Sequence, residues 1–337
     1  LMTLFDAIYL NSLGGKKLLK LMISKLEGRK QWNFILDSRL KSEYTLSKRI
    51  KFENPSIISR FLFYLNKSRH YNSIFCFSNI PPPFKINKRV FIFFHNDNLI
   101  ETSKVEASIG SKIILKLKSL YIKSFSHENY KWIVQTNYMK NRLNLFFSIS
   151  LENISVIPIF DDFKYIIDSS NRQNDFLYVS DFQPHKNHDN LIKAFVLCSN
   201  KNQTQINLHL TIPKNKFDDF INRYEMPQNL NIINHGICNE DQVNNLYLKC
   251  KYFIFPSIKE SFGLPLIEAC QYKCNVIASD LEYVKEIIKP SLLFDPFNID
   301  SIAASIETAL NSEFLTTSEI LINNKLDLLI ETIEQNV

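Results

Sequence analysis

Short apolar runs alternate along this chain with longer stretches in which apolar residues return every three or four positions. Such runs, bounded by turn residues, read as buried strands, and the 3.6-residue period reads as helix. The pattern therefore predicts parallel sheets with crossover helices. In a first series, Ala7-Ile8-Tyr9-Leu10 reads as a strand leading into Asn11-Ser12-Leu13-Gly14-Gly15, then a helix with apolar positions Leu18, Leu19, Met22, Ile23 and Leu26. Further strands are predicted at 34–36, 74–77, 90–94, 133–134 and 155–157, and Pro158 ends the series. A second series has strands at 176–179, 208–212, 232–233, 252–255, 275–278 and 292–294, with helices near 188–199, 240–249, 264–272 and 299–311. The polar stretch 161–174 reads as the connection between them. At 337 residues the chain is long enough for two α/β domains with separate cores. We place them at 1–160 and 175–312, with a helical tail over 313–337 that crosses back to the first.

Charge divides the same way. Residues 1–170 carry 26 Lys+Arg against 13 Asp+Glu, and residues 171–337 carry 14 against 21. A basic half suits nucleic acid, an anionic membrane surface or a phosphate-bearing substrate, and equally ordinary solvation. Its aromatic residues fall in apolar strands and are not interleaved with basic ones as stacking platforms, which argues against nucleic acid. Over 111–123 a helix would put Lys112, Lys116 and Lys123 on one stripe, a pattern that fits a helix on anionic lipid and equally a core helix with one wet edge. No uncharged run reaches the length of a spanning helix, and no secretory signal pattern opens the chain. Six cysteines without a CxxC pair read as reduced thiols of a cytoplasmic protein, possible membrane contact being peripheral at the inner face.

The chemistry concentrates in Tyr252 to Ala269. An apolar strand ends at Pro256-Ser257, and Glu260-Ser261-Phe262-Gly263-Leu264-Pro265 leads into a helix that carries Glu268. Gly263 permits close backbone approach and Pro265 suits a first helical turn, so amides near Phe262 to Leu264 should face bound phosphate. Glu260 and Glu268 can accept hydroxyl hydrogen bonds from a sugar and a ribose; the alternative is one solvated loop glutamate and one exposed helical one. After the first strand of the second series, Lys186 in Gln183-Pro184-His185-Lys186-Asn187 stands at a sheet edge before a helix, where an ammonium would stabilise a departing diphosphate. No D-x-D, H-E-x-x-H or clustered Cys/His spacing points to a metal, and no cofactor is expected. Gly14-Gly15 lacks the spacing of a dinucleotide fingerprint, which argues against an oxidoreductase.

The order strand, Pro-Ser, Glu, Phe-Gly-Leu-Pro, Glu resembles the donor-site signature of the family 4 retaining glycosyltransferases, and Pro184-His185-Lys186-Asn187 resembles that family's Pro-x-Lys-Asn motif. The resemblance is specific over about 176–296 and weaker over 6–160. It implies the GT-B fold, two facing Rossmann-like doubly wound domains, and transfer of a sugar from a nucleotide-sugar donor with retention. Its further implications are that Glu260 holds the sugar, Glu268 the ribose, and Lys186 with the 262–264 amides the leaving diphosphate. Ser261 joins the donor site, Gly236 and Ile237 contact the base, Gly14 and Gly15 form a first loop near the transferred sugar, and His95 contacts that sugar. Ser180 and Asp181 stand where many relatives carry an arginine, which leaves a second cation to another loop. The family setting implies a saccharide or lipid-linked acceptor in bacterial O-antigen or capsule synthesis. A nucleotide-sugar epimerase or a phosphorylase shares the architecture and is the alternative enzyme.

Overall fold

The computed structural model describes residues 2–44, 48–102, 109–162 and 172–335. Most of the expected connection 161–174 falls on residues 163–171 and so lies outside the described residues. The chain divides into two compact units, Leu1–Asp162 with Asn323–Val337, and Phe163–Ile322.

In the first unit the elements run β1 (Thr3–Ala7), α1 (Leu13–Leu26), β2 (Trp32–Asp37), β3 (Ile50–Glu53), α2 (Ile57–Lys67), β4 (Ser73–Cys76), β5 (Arg89–Phe93), α3 (Ile109–Phe125), β6 (Lys131–Val134), α4 (Asn137–Phe147) and β7 (Ile154–Val156). Among the described residues they build a seven-stranded sheet, order β3-β2-β1-β4-β5-β6-β7, paired parallel throughout. Strand order reverses between β1 and β4. The inner strands are apolar because both faces are covered; Phe5, Ile35, Phe75 and Ile92 are all fully buried. Ser12, Ser56 and Thr136 cap α1, α2 and α4, each accepting a first-turn N–H.

The first strand is Thr3–Ala7; of the expected 7–10 only Ala7 belongs to it, and Ile8 and Tyr9 form a turn beyond it. Asp6 interrupts the apolar run and hides the strand, and its buried carboxylate is neutralised by Arg60 at 2.9 Å. β3 and α2 are additions to the expected elements. Gly14 and Gly15, expected in a loop, are instead in the first turn of α1. A Cβ at Gly15 would lie 2.7 Å from the side chains of Leu10 and Ser12, so a larger residue there would have to push both aside.

The second unit runs β8 (Gln173–Tyr178), α5 (His188–Lys201), β9 (Ile206–Leu210), α6 (Lys214–Ile221), β10 (Leu230–Asn234), α7 (Glu240–Lys249), β11 (Cys250–Phe255), α8 (Leu264–Gln271), β12 (Asn275–Ser279), α9 (Glu282–Ile287), β13 (Ile288–Lys289), β14 (Leu292–Phe294), α10 (Ile299–Asn311) and β15 (Glu319–Ile320). Six of these strands form a parallel sheet, β10-β9-β8-β11-β12-β14, which reverses order between β8 and β11. The predicted helices of this half stand where the periodicity puts them. The tail differs. β15 pairs antiparallel with β13, and Ser318 accepts from the N–H groups of Val276 and Ser291, so residues 313–325 are not helical. Only α11 (Leu326–Glu334) is helix. It docks on the first unit, where Glu334 accepts from Trp32 Nε1 at 2.7 Å and from Arg29 at 2.5 Å.

Candidate functional site

In an open parallel sheet, ligands bind beyond the carboxyl ends of the strands where the order reverses. In the second unit those ends belong to β8 and β11, and the loops that follow them carry Lys186 and Glu260. The two loops are stitched together. Ile258 N–H donates to the His185 carbonyl at 2.9 Å, and Lys186 Nζ donates to Glu260 Oε1 at 2.6 Å. Both side chains are largely buried, 14% and 13% exposed, so this ion pair is screened less than a surface pair.

The support below the pair is rigid. Tyr178, at the end of β8, donates to the Lys186 carbonyl at 2.9 Å and lies 3.0 Å from Ser257 Oγ; burial pushes its phenol pKa well up. Tyr283 donates to the Ser257 carbonyl at 2.6 Å. Asn187 takes a left-handed conformation, φ 60°, ending the 3-10 turn 184–186, and its side chain donates to the Pro296 carbonyl. His188 opens α5 with Nε2 3.0 Å from Ser180 Oγ; burial first, then the charges of Lys186 and His185, push its pKa down to about 3. His185 is lowered by burial, then by Lys186, with Lys259 also acting on it. Lys259 thus brings a second cation to the same two loops.

Gly263 has φ +84°, a conformation that L side chains rarely adopt, and an added Cβ would sit 3.1 Å from Leu266 Cδ1. This turn sets Leu264 and Pro265 at the start of α8, where Pro265 has no N–H to offer and the Leu266 N–H donates to the Gly263 carbonyl at 2.9 Å. Phe262 is buried, and Ser261 and Leu264 are half-buried. Glu268 lies one turn into α8, half-buried, and accepts from Tyr247 Oη at 3.2 Å. Beyond β10, the far edge strand of the sheet, Gly236 has φ +71° with open space where a Cβ would stand, and Ile237 is 71% exposed.

The structure therefore joins Lys186 to Glu260 and gathers Ser261 to Leu264 on the same loop. Glu268 follows in α8, and Gly236 and Ile237 stand two strands away. Gly14, Gly15 and His95 belong to the first unit. There the His95 N–H donates to Asn79 Oδ1 at 2.6 Å, its ring packs against both Phe77 and Phe93, and burial lowers its pKa to about 4.

Sequence reasoning missed a polar chain beside Gly236. Asp175 Oδ2 is 3.0 Å from His209 Nε2, and His209 Nδ1 is 2.8 Å from His235 Nε2. No local spacing signals it, because its members come from three strands or strand ends. Among the described residues no group of three or more His, Cys, Asp or Glu could hold a metal ion.

Residues 160–327 match the family described as Glycosyl transferases group 1. The serotype-specific mannosyltransferase WbdA of Escherichia coli is 34% identical over 79 residues, 23% of this chain and 10% of WbdA. The O-antigen chain mannosyltransferase RfbU of Salmonella typhimurium is 26% identical over 182 residues, 54% of this chain and 51% of RfbU. This chain thus spans a small part of the one relative and about half of the other. The crystal structure of HepE from Anabaena in complex with UDP-glucose aligns with a TM-score of 0.68 at 15% identity, over 92% of this chain and 90% of HepE. That likeness is one of fold, and the fold is GT-B.

Proposed function

We propose, on the premise that this chain belongs over residues 160–327 to the group 1 glycosyl transferases, that it moves a hexose from a nucleotide-sugar donor to a saccharide acceptor, with retention, in bacterial surface-polysaccharide synthesis. The observation that carries this reading is the Lys186–Glu260 pair at 2.6 Å, on the two loops flanking the point where strand order reverses. An ammonium has three donors, so Lys186 keeps capacity for phosphate while it orients Glu260. Glu260 in turn keeps lone pairs for sugar hydroxyls.

In the step we propose, the bond from the anomeric carbon to the diphosphate oxygen breaks and the acceptor oxygen bonds on the same face. The acceptor proton passes to a donor phosphate oxygen, and Lys186, Lys259 and the amides of the turn 262–264 stabilise the charge that accumulates on the diphosphate. Glu268 is assigned the ribose and Gly236-Ile237 the base. Gly14, Gly15 and His95 are assigned to the sugar side in the first unit. Lysines and amides supply the neutralisation without a metal, so turnover should survive a chelator.

The acceptor is proposed to be lipid-linked, with the first unit resting on anionic membrane. Support comes from two neighbouring helices. Arg60 of α2 and Tyr121 of α3 both donate to the Pro81 carbonyl. α2 exposes Ile57, Ile58 and Leu65, and α3 exposes Ile113, Leu117 and Leu120 beside the exposed Lys112, Lys116 and Lys123. Apolar side chains rimmed by lysines suit an anionic bilayer surface. Among the described residues no helix is long and apolar enough to cross a membrane.

The test is a thermal-shift screen of nucleotide sugars, in which a donor at a hundred times its Kd stabilises the protein by about 2.7 kcal/mol. The anomeric configuration of the product is then determined by NMR. Failure of every nucleotide sugar to stabilise the protein would overturn the reading, and an inverted product would overturn retention. Sedimentation with anionic vesicles, reversed by high salt, tests the membrane contact; no sedimentation at low salt removes it.

A further inference from the structure

Lys118 lies on the inner face of α3, on the side of Leu115 and the fully buried Ile122, opposite the exposed stripe of Lys112, Lys116 and Lys123. Burying an ammonium is costly unless a counter-charge comes with it. Among the described residues no carboxylate pairs with Lys118. Its ammonium stands 5.8 Å from the centre of the half-buried Tyr9 ring, and the charged side chain acting on it is Arg39, of the same sign. Burial first and that repulsion second lower its pKa from the ordinary lysine value. The acids nearby are spent. Asp37 holds Arg39 through two bonds of 2.9 and 2.6 Å, and Asp6 accepts from Arg60 and from Tyr64.

The position is also where a parallel sheet binds ligands. Tyr9 follows β1, and its N–H donates to Ser78 Oγ, beyond β4, at 3.4 Å. β1 and β4 are the strands between which order reverses in the first unit, so Lys118 hangs over that unit's own ligand-binding edge. A half-buried cation left without an acid at such an edge can accept an oxyanion from outside.

We propose that Lys118 anchors an oxyanion site that takes the phosphate of a lipid-linked acceptor, with Tyr9 as one wall and Arg39 adding positive potential. This deepens the transferase reading above and rests on it. One helix would then serve both ends of an amphiphile. The outward Ile113, Leu117 and Leu120 of α3 meet hydrocarbon, and the inward Lys118 meets the phosphate. An incoming phosphate would also relieve the repulsion between Lys118 and Arg39.

The experiment compares wild type, Lys118→Met and Lys118→Arg by calorimetric titration with dodecyl phosphate below its micellar concentration, with dodecanol and with inorganic phosphate. Methionine keeps an apolar stem over Tyr9 and loses the charge; arginine keeps the charge. Dodecyl phosphate should bind wild type, bind Lys118→Met about tenfold more weakly or worse, and regain affinity in Lys118→Arg. Dodecanol should not distinguish the three. Equal affinity of dodecyl phosphate for wild type and Lys118→Met overturns the proposal. Inorganic phosphate bound as tightly as dodecyl phosphate, in a Lys118-dependent way, overturns its lipid part and leaves a site for free phosphate. Stabilisation by nucleoside diphosphates, measured on the same three proteins, separates this result from the donor reading. It should be equal in all three, and its absence from all three would count against the donor site while the Lys118 comparison still stands.

Discussion

Lys186 and Glu260, 74 positions apart in sequence, meet at 2.6 Å across the loops that follow β8 and β11. On the proposed reading the pair is preorganised charge: the cation is in place before a leaving group needs it, and the carboxylate is held for the sugar hydroxyls. Lys186→Ala should lower kcat by about a hundredfold or more, the scale of losing one oriented donor to developing negative charge. Glu260→Gln should lower turnover while nucleoside diphosphate still binds. Removing either partner strands the other partly buried charge, so urea unfolding should show each variant about 1–3 kcal/mol less stable. Undiminished kcat in both variants would remove the pair from the chemistry.

A second ion pair tests the first unit. Arg60 and Asp6 are 3% and 1% exposed and meet at 2.8 Å, with Tyr64 also donating to Asp6 at 2.6 Å and the Ile80 and Pro81 carbonyls accepting from Arg60. The network ties α2 to β1 and to the segment after β4. Arg60→Met leaves a buried carboxylate without its counter-ion and should cost about 3–5 kcal/mol in urea unfolding. Adding Asp6→Asn removes the stranded charge and should recover most of the loss. A double variant as unstable as Arg60→Met alone would mean that packing, not charge, sets the cost.

The same networks explain what was legible in the sequence. The six strands of the main sheet and the helices α5, α7, α8 and α10 of 173–311 were readable because the apolar runs there end in clear turn residues and the Gly263-Leu264-Pro265 junction announces a helix start. The short α6, α9 and β13 were not expected. β1 was misplaced because Asp6 breaks its apolar run, and Arg60 and Tyr64, more than fifty positions on, make that acid tolerable inside a sheet. α2 gave no interior signal because Ile57, Ile58 and Leu65 face outward. Lys186 and Glu260 could each be placed on a loop at a sheet edge from the turns they follow. Their contact was not, since it depends on which two strands stand side by side. Lys118 was invisible for the opposite reason: a helix rich in lysine leads the eye to its wet stripe, and Lys118 is on the other face.

Burial of His188 gives the fold a pH dependence with a definite sign. Its pKa is 6.5 in an ordinary setting and about 3 in the folded chain. Between those values the unfolded chain binds the proton and the folded chain does not, so stability rises with pH in that window. The contribution is complete above 6.5 and is lost progressively as pH falls toward 3, at up to about 1.4 kcal/mol per pH unit. Urea midpoints measured at several pH values across this window should fall less steeply with acidity for His188→Gln than for wild type. Parallel slopes would show that His188 is protonated in the folded protein.

Cys238 offers a reporter for the base end of the proposed donor site. It is half-buried, two residues from Gly236, whose carbonyl lies 3.7 Å from its sulfur. The other five cysteines are buried, and burial pushes Cys76, Cys250 and Cys270 up to about 12 and Cys274 up to about 11. Thiolate is the reactive form, so iodoacetamide under native conditions should label Cys238 well ahead of the other five. Unfolding should open all six. A nucleoside diphosphate seated over Gly236 and Ile237 would cover the same surface, so peptide mass analysis should show labelling of Cys238 slowing as the nucleotide is titrated to saturation. Labelling that proceeds at its original rate with nucleotide bound would move the base away from Gly236-Ile237 and leave Lys186, Glu260 and the start of α8 as the part of the donor site to be kept.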